Sequence, residues 1–426
     1  MISIEIGNSY SRIKGLNPKQ ERELKTALSY TVGGSSAYFS GYGVRKKSLL
    51  SKGGEFPTGL LERVVAAMGY INNIKDNRFK PPSWPQELFF KYNDYPWQVA
   101  SVKAAYKAPR GIITAPTGTG KSRAMAMLIS NIAVNTLVIV PTLEIKKQLS
   151  QTLPIGTVVE NIDSSALKNP NTYKGIECLI IDEAHHSASK TYRTLNKIMW
   201  KDIYYRYFYT ATPFRNDTEE TLLFESIAGR VIYKLDYKTA IRENYIVPVE
   251  AYYIDIHKQE NDCYTYQEVY KKLVVENSLR NTTIARILLS LREKSTLCLV
   301  KEVRHGALLQ MLTGEPMVAG EFDESREYIP MFNSGDIKVL IATTAIMGEG
   351  VDSKPCEYVV IAGLGKAKSQ FMQQVGRAVR KYPGKESAKV IIFRDRSHKY
   401  LLRHFNEQKK ILKEEYGATP LKLELK

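Results

Sequence analysis

The chain is poor in cysteine and has no long apolar run. Its four cysteines, Cys178, Cys263, Cys298 and Cys356, are scattered among 426 residues and form no CxxC pair. That excludes a disulfide framework and a thiolate zinc site. Cys178 and Cys298 sit in apolar runs and are expected to be buried thiols. The six histidines show no ligand spacing, so no structural metal is expected. No segment approaches 18 uninterrupted apolar residues, which argues against a membrane span. The opening MISIEIGNSYSRIKG lacks a basic-then-apolar signal region, so a cytoplasmic protein is expected. Acidic residues are also scarce. The 44 Asp and Glu face 61 Lys and Arg, giving a formal charge of +17. Such an excess points to a polyanionic partner, and nucleic acid is the obvious candidate.

What is present is a phosphate-binding loop. Ile112-Ile113-Thr114 has the pattern of a short buried strand, and a helical stretch begins near Lys121. Between them lies Ala115-Pro116-Thr117-Gly118-Thr119-Gly120-Lys121-Ser122. Strand, Gly-rich loop and helix in that order are the context in which this motif cradles phosphates. Gly118 and Gly120 let backbone N–H groups turn toward phosphate oxygens, and the helix N-terminus adds partial positive charge. Lys121 is expected to reach the β- and γ-phosphates of ATP, and the Ser122 hydroxyl to bind Mg²⁺. Further on, the apolar Cys178-Leu179-Ile180-Ile181 ends in Asp182-Glu183-Ala184-His185. A strand end delivers carboxylates to the mouth of a parallel sheet, where ligands bind. Asp182 is expected to hold Mg²⁺, and Glu183 to orient and deprotonate the attacking water.

Along the chain, three domains are expected: a small basic α+β domain over 1–80, a first lobe over 81–245 and a second over 246–426. The first 80 residues carry 13 Lys and Arg against 6 Asp and Glu. Their cluster Arg45-Lys46-Lys47, expected between strands at 37–39 and 48–50, suits phosphate contacts. Pro81 to Pro85 is expected to be a linker. Five apolar runs alternate with helical stretches after Gly111, predicting a parallel sheet with helices on its faces. The segment from Val247 to about Asn261 is expected to join the lobes. Four more apolar runs then predict a second parallel sheet without its own phosphate loop. In Gln373-Gln374-Val375-Gly376-Arg377-Ala378-Val379-Arg380, the arginines three apart are expected on one helix face. From there they could neutralise γ-phosphate charge, an effect worth about 10³–10⁵ in rate in related hydrolases.

The loop, the DEAH run and QxxGRxxR, in this order, resemble superfamily 2 helicases and translocases over roughly residues 90 to 400. The resemblance implies two tandem RecA-like lobes, hence an α/β fold preceded by the small α+β domain. It also implies ATP and Mg²⁺ as cofactors. Trp97 and Gln98 fall where the family contacts adenine, and Pro116, Thr117, Gly118, Thr119 and Gly120 where it wraps the phosphates. Pro141 and Thr142 match a strand-gripping motif. His185, Thr210 and Thr212 match residues that couple hydrolysis to the nucleic-acid groove. Lys301, Arg304, Thr343 and Thr344 match backbone contacts in the second lobe, and Gly350 and Asp352 face the nucleotide. Gln373, Arg377 and Arg380 match the arginine-finger motif. The layout is similar to phage recombination helicases of the UvsW type, which implies a DNA partner, branched or forked, and a phage protein acting in the host cytoplasm. Two other readings remain open: an RNA-remodelling helicase, and a motor subunit of a restriction or repair assembly. A nucleic-acid-binding regulator with inactive ATPase parts is disfavoured by the presence of Lys121, Asp182, Glu183 and Arg377.

Overall fold

A computed structural model describes residues 1–32, 45–80, 84, 87–91, 93–212, 218–320, 326–346, 356–363 and 368–424. Gly350, Asp352, the strand expected at 37–39 and most of the proline linker lie outside these residues. The chain divides into two compact units. One comprises Met1–Ala115 with Gly120–Leu235, the other Asp236–Lys426 with the loop residues Pro116–Thr119.

The first unit contains a six-stranded, all-parallel sheet in the order Val231–Lys234, Arg110–Thr114, Tyr205–Thr210, Cys178–Ile181, Thr136–Val140, Val158–Asn161. Its central strands are buried on both faces, as their unbroken apolar runs require. Leu137, Leu179, Ile181 and Phe208 pack with Trp200 and Phe224 into one core. The second unit contains a seven-stranded parallel sheet. Its strands run in the order Met317–Val318, Val339–Thr343, Thr296–Val300, Tyr358–Ile361, Ala388–Asp395, Val249–Ile256, Leu421–Lys422. This corrects the expectation that the chain after Val247 merely joins the lobes, because Val249–Ile256 is an eight-residue strand of that sheet. Its sequence VEAYYIDI hides the fact, since exposed Glu250 and half-buried Asp255 interrupt the apolar run. All four cysteines are buried thiols, and among the described residues no helix is long and apolar enough to cross a membrane.

The N-terminal segment builds a four-stranded mixed sheet, ordered Glu55–Pro57, Tyr10–Lys14, Ser3–Ile6, Asn73–Asp76. Asn17 caps the helix Pro18–Ala27 through a capping box with Gln20. The basic cluster departs from expectation. Arg45–Ser48 is itself a strand, paired antiparallel with Ser29–Val32. Successive side chains of a strand point to opposite faces, so exposed Lys46 and Lys47 do not share one face.

This small domain does not stand apart from the first lobe. Its core of Ile4, Ile13, Leu24, Phe56 and Leu60 includes Leu222 and Leu223 of the lobe helix Thr218–Ala228. Arg63 forms a two-pronged ion pair with Glu225 at 2.7 and 2.6 Å. Two arginines on adjacent lobe strands, in register with each other, reach the N-terminal loop. Arg110 donates to the Asn8 carbonyl. Fully buried Arg206 donates to Ser9 Oγ at 3.1 Å, Asn196 Oδ1 at 2.6 Å, Ile203 O at 3.0 Å and Trp200 O. Burial, with Arg110 beside it, holds the Arg206 guanidinium well below the usual arginine pKa.

Candidate nucleotide-hydrolysis site

The loop grows from the strand Arg110–Thr114, and Ala115 N–H donates to Thr210 O of the neighbouring strand at 3.2 Å. Thr119 folds back, its Oγ1 donating to Pro116 O at 2.8 Å. Gly118 and Gly120 take φ of +87° and +90°, a region L-residues with side chains rarely adopt. Gly120 then caps the helix Lys121–Ile132, whose first N–H groups have no intrahelical acceptors and are free to face an anion. Ser122 lies in its first turn. Lys121 Nζ sits 3.5 Å from Ala115 O and 3.9 Å from Glu183 Oε1.

Gln98 and Trp97 are buried in the helix Pro96–Lys107. Gln98 Nε2 donates to Gly120 O at 3.2 Å, while its Oε1 accepts from Tyr95 N–H at 3.2 Å. Its amide therefore braces the loop glycine. Trp97 stacks on Tyr233, ring centroids 6.4 Å apart.

The acidic pair follows the strand Cys178–Ile181. Asp182 Oδ1 accepts from Glu183 N–H at 2.9 Å. Glu183 has φ +43° and ψ +46°, a left-handed conformation that costs on the order of 1–3 kcal/mol for a non-glycine and concentrates at functional sites. Burial, and then the Glu183 charge, raise the Asp182 carboxyl far above the usual range, with Lys121 opposing. Burial also works against the Glu183 charge. Lys121 and the hydrogen bond and charge of His185 outweigh it and hold Glu183 below the usual range. Two adjacent carboxyls thus differ in proton affinity by environment alone, the pattern that separates acid and base roles.

His185 joins this pair to the next strand. Its Nδ1 lies 3.5 Å from Glu183 Oε2 and 3.3 Å from Thr210 Oγ1, which in turn accepts from Thr212 N–H at 3.2 Å. Lys121, Asp182, Glu183, His185, Thr210 and Thr212 therefore form one connected cluster within the first unit. Also in that unit, Pro141 O accepts from Asn161 Nδ2 at 2.8 Å, and Thr142 caps the helix Leu143–Thr152.

In the second unit Arg377 occupies the last turn of the helix Lys368–Ala378, and Gln373 lies half-buried on it. Arg380 falls beyond that helix, which corrects the expectation of two arginines on one helical face. At this turn sits Lys385, which the sequence motifs do not single out. Its ammonium donates to Ala378 O, to Cys356 O at 2.5 Å and to Arg380 O at 3.2 Å. Its ammonium thus satisfies a carbonyl left free where the helix ends. Gln374, which no motif position marks either, is buried with neither end of its amide hydrogen-bonded. Thr343 ends its strand, and Thr344 N–H donates to Val300 O at 2.8 Å. Lys301 lies over the rings of Tyr270 and Tyr266, 4.9 and 5.6 Å from their centroids. Arg304 pairs with Glu276 at 2.8 Å.

Residues 71–160 match the family "Type III restriction enzyme, res subunit" and residues 270–382 the "Helicase conserved C-terminal domain". Together these two domains support a superfamily 2 helicase. The helicase is 24% identical over 349 residues to the DNA 3'-5' translocase XPB2 of Sulfurisphaera tokodaii, covering 67% of this chain and 78% of that protein. It is 24% identical over 364 residues to a putative DNA 3'-5' helicase Rad25 of Halobacterium salinarum, covering 78% of this chain but only 59% of that one. Among solved structures, a fragment of a putative HsdR subunit of a type I restriction enzyme from Vibrio vulnificus covers 97% of the helicase, with 84% of that chain matched, at TM-score 0.60 and 16% identity. T4 UvsW covers 99% of each chain at TM-score 0.42 and 17% identity.

Proposed function

We propose that this helicase hydrolyses ATP to translocate along DNA and that it remodels branched DNA, such as forks and four-way junctions. The observation that carries the reading is the buried connection Glu183–His185–Thr210–Thr212. It ties the proposed water-activating carboxylate to the strand end expected to sense nucleic acid. Glu183, held ionised by Lys121 and His185, takes a proton from the attacking water. Lys121 holds the terminal phosphates, and Arg377 and Arg380 neutralise charge that develops on them. The donor set of Ser122 and Asp182 fits Mg²⁺, because a buried carboxyl with raised proton affinity is one that a cation would stabilise in its charged form. When bound there, the ion would neutralise phosphate charge. Relatives described as a DNA 3'-5' translocase and a putative DNA 3'-5' helicase favour DNA as the track and 3′-to-5′ movement. Phosphate contacts carry no sequence information, so selection of branched substrates falls to shape and to the basic N-terminal domain.

The test is ATPase and unwinding measured with forked DNA, four-way junctions, blunt duplex, single strands and duplex RNA. Branched DNA should stimulate most. Stimulation by RNA and not by DNA would overturn the proposal, and equal stimulation by all DNA forms would remove its branched-substrate part.

A further inference from the structure

The helix Lys399–Tyr416 lies outside every ATPase and strand-gripping motif. Its inner side is apolar, with Leu401, Phe405, Ile411 and Leu412 buried, and Phe405 packs on Tyr253 with ring centroids 5.4 Å apart. Its outer side carries Lys399, Arg403, Lys409, Lys410 and Lys413, all exposed, with Glu414 as the exposed carboxylate. Glu415 is occupied by Lys368 at 2.5 Å, and Glu407 is half-buried. Among the described residues, Arg403, Lys409, Lys410 and Lys413 have no carboxylate partner.

A helix face that is merely solvated normally mixes signs and gains from pairs three or four residues apart. This one does not. A lysine in the last turn also complements the helix dipole, which accounts for Lys413. Lys399 stands in the first turn, where a cation opposes the dipole, and Arg403, Lys409 and Lys410 lie outside both end turns, so that account fails for these four. Lys399, Arg403, Lys410 and Lys413, spaced by three, four or seven residues, form one row. From Lys399 to Lys413 it spans about 21 Å at 1.5 Å per residue. The helix is also tied to the arginine-bearing helix, since Tyr416 Oη donates to Met372 O at 3.2 Å and Lys368 pairs with Glu415.

We infer that this helix is a second phosphate-binding surface, and that its partner is the backbone of duplex DNA. The inference rests on the proposal that the helicase acts on DNA. A straight, rigid row of cations fits a rigid polyanion, and duplex DNA offers one charge per about 1.7 Å of axis. The test is binding of the full chain to a 30-base-pair blunt duplex across a salt series, wild type against the triple variant Lys399→Gln/Arg403→Gln/Lys410→Gln. The log–log salt slope should become shallower by about 0.9 for each phosphate no longer neutralised, up to about 2.7 for three. ATPase without DNA and the melting temperature should hold. The charge-preserving variant Lys399→Arg/Arg403→Lys/Lys410→Arg should keep the wild-type slope. An unchanged duplex slope in the triple variant, or weakened binding confined to single strands or to anionic vesicles, overturns the inference and leaves the motor's function standing. Wild-type protein that binds no DNA overturns the proposed function itself.

Discussion

Gly59→Ala measures how firmly the N-terminal domain is joined to the first lobe. Gly59 lies in the buried turn Thr58–Leu60. A Cβ built there would stand 2.3 Å from Glu225 O, 2.4 Å from Ser226 O and 2.6 Å from Ser226 C. All three atoms are backbone at the end of the helix Thr218–Ala228, so no side chain can swing aside. Ordinary contact needs about 1 Å more, and the backbone angle at Gly59 is not left-handed, so the cost is steric. If the helix retreats, Leu222 and Leu223 loosen from the N-terminal core and the Arg63–Glu225 pair stretches. Overpacking of this kind costs about 1–3 kcal/mol. For a unit of this size each kcal/mol lowers the melting temperature by about 2–4 °C, so the variant should melt about 2–12 °C lower by calorimetry. Gly53→Ala is the control. Its Cβ meets only Ser51 Oγ, at 3.9 Å, and the reduced freedom of the unfolded chain should leave stability level or up by about 0.4–1 kcal/mol. A Gly59→Ala protein melting at the wild-type temperature would refute the tight junction.

Other consequences are as specific. Glu183→Gln keeps size but removes the proton acceptor, so ATP should still bind in a filter assay while turnover falls by about 10²–10⁴. His185→Ala cuts the connection from Glu183 to Thr210, and ATP binding should persist while stimulation of turnover by DNA is mostly lost; full stimulation would show that coupling runs elsewhere. Arg377→Ala should depress kcat far more than ATP affinity, whereas weakened binding with intact kcat would make it a ground-state clamp. His305 is fully buried, and desolvation, with Arg280 adding to it, lowers its pKa from 6.5 to about 3. The unfolded chain therefore binds a proton first. Stability present above pH 6.5 should fall by about 1.4 kcal/mol per pH unit on acidification toward pH 3, and His305→Gln should flatten that part of the denaturant-midpoint profile.

How legible each part is follows from how local its cause is. The phosphate loop and the acidic pair each need only a strand, a few fixed neighbours and a turn, and all of these lie within a dozen residues. Central strands such as Thr136–Val140 announce themselves because both faces are buried. Val231–Lys234 and Val249–Ile256 escape notice because half-exposed positions break the apolar run. Arg380 reads as helical because the local pattern continues past Ala378, whereas the ammonium that satisfies the carbonyls of Ala378 and Arg380 at the turn comes from Lys385. The junction of the two domains is the least legible. Arg206 stands inside the apolar run YRYFYT and looks like an interruption, and its hydrogen-bond partner Ser9 is 197 residues away. No periodicity could expose that contact.

That junction changes what the N-terminal domain can do. Arg110 and Arg206 lie at the starts of two adjacent strands, and both are bonded to the Asn8–Ser9 loop. The other ends of the same strands are Thr114, which leads into the phosphate loop, and Thr210, which contacts His185. A strand in a parallel sheet is already near full extension, at about 3.3 Å per residue, so it cannot stretch to absorb a displacement. Moving the N-terminal domain would therefore pull on the strand ends Thr114 and Thr210. Deleting residues 1–80, the natural experiment for an added module, would also strip Arg206 of an acceptor and expose Leu222 and Leu223 to water. The domain is thus a wall of the first lobe, and any DNA it holds must shift together with the strand ends at Thr114 and Thr210 rather than relative to them.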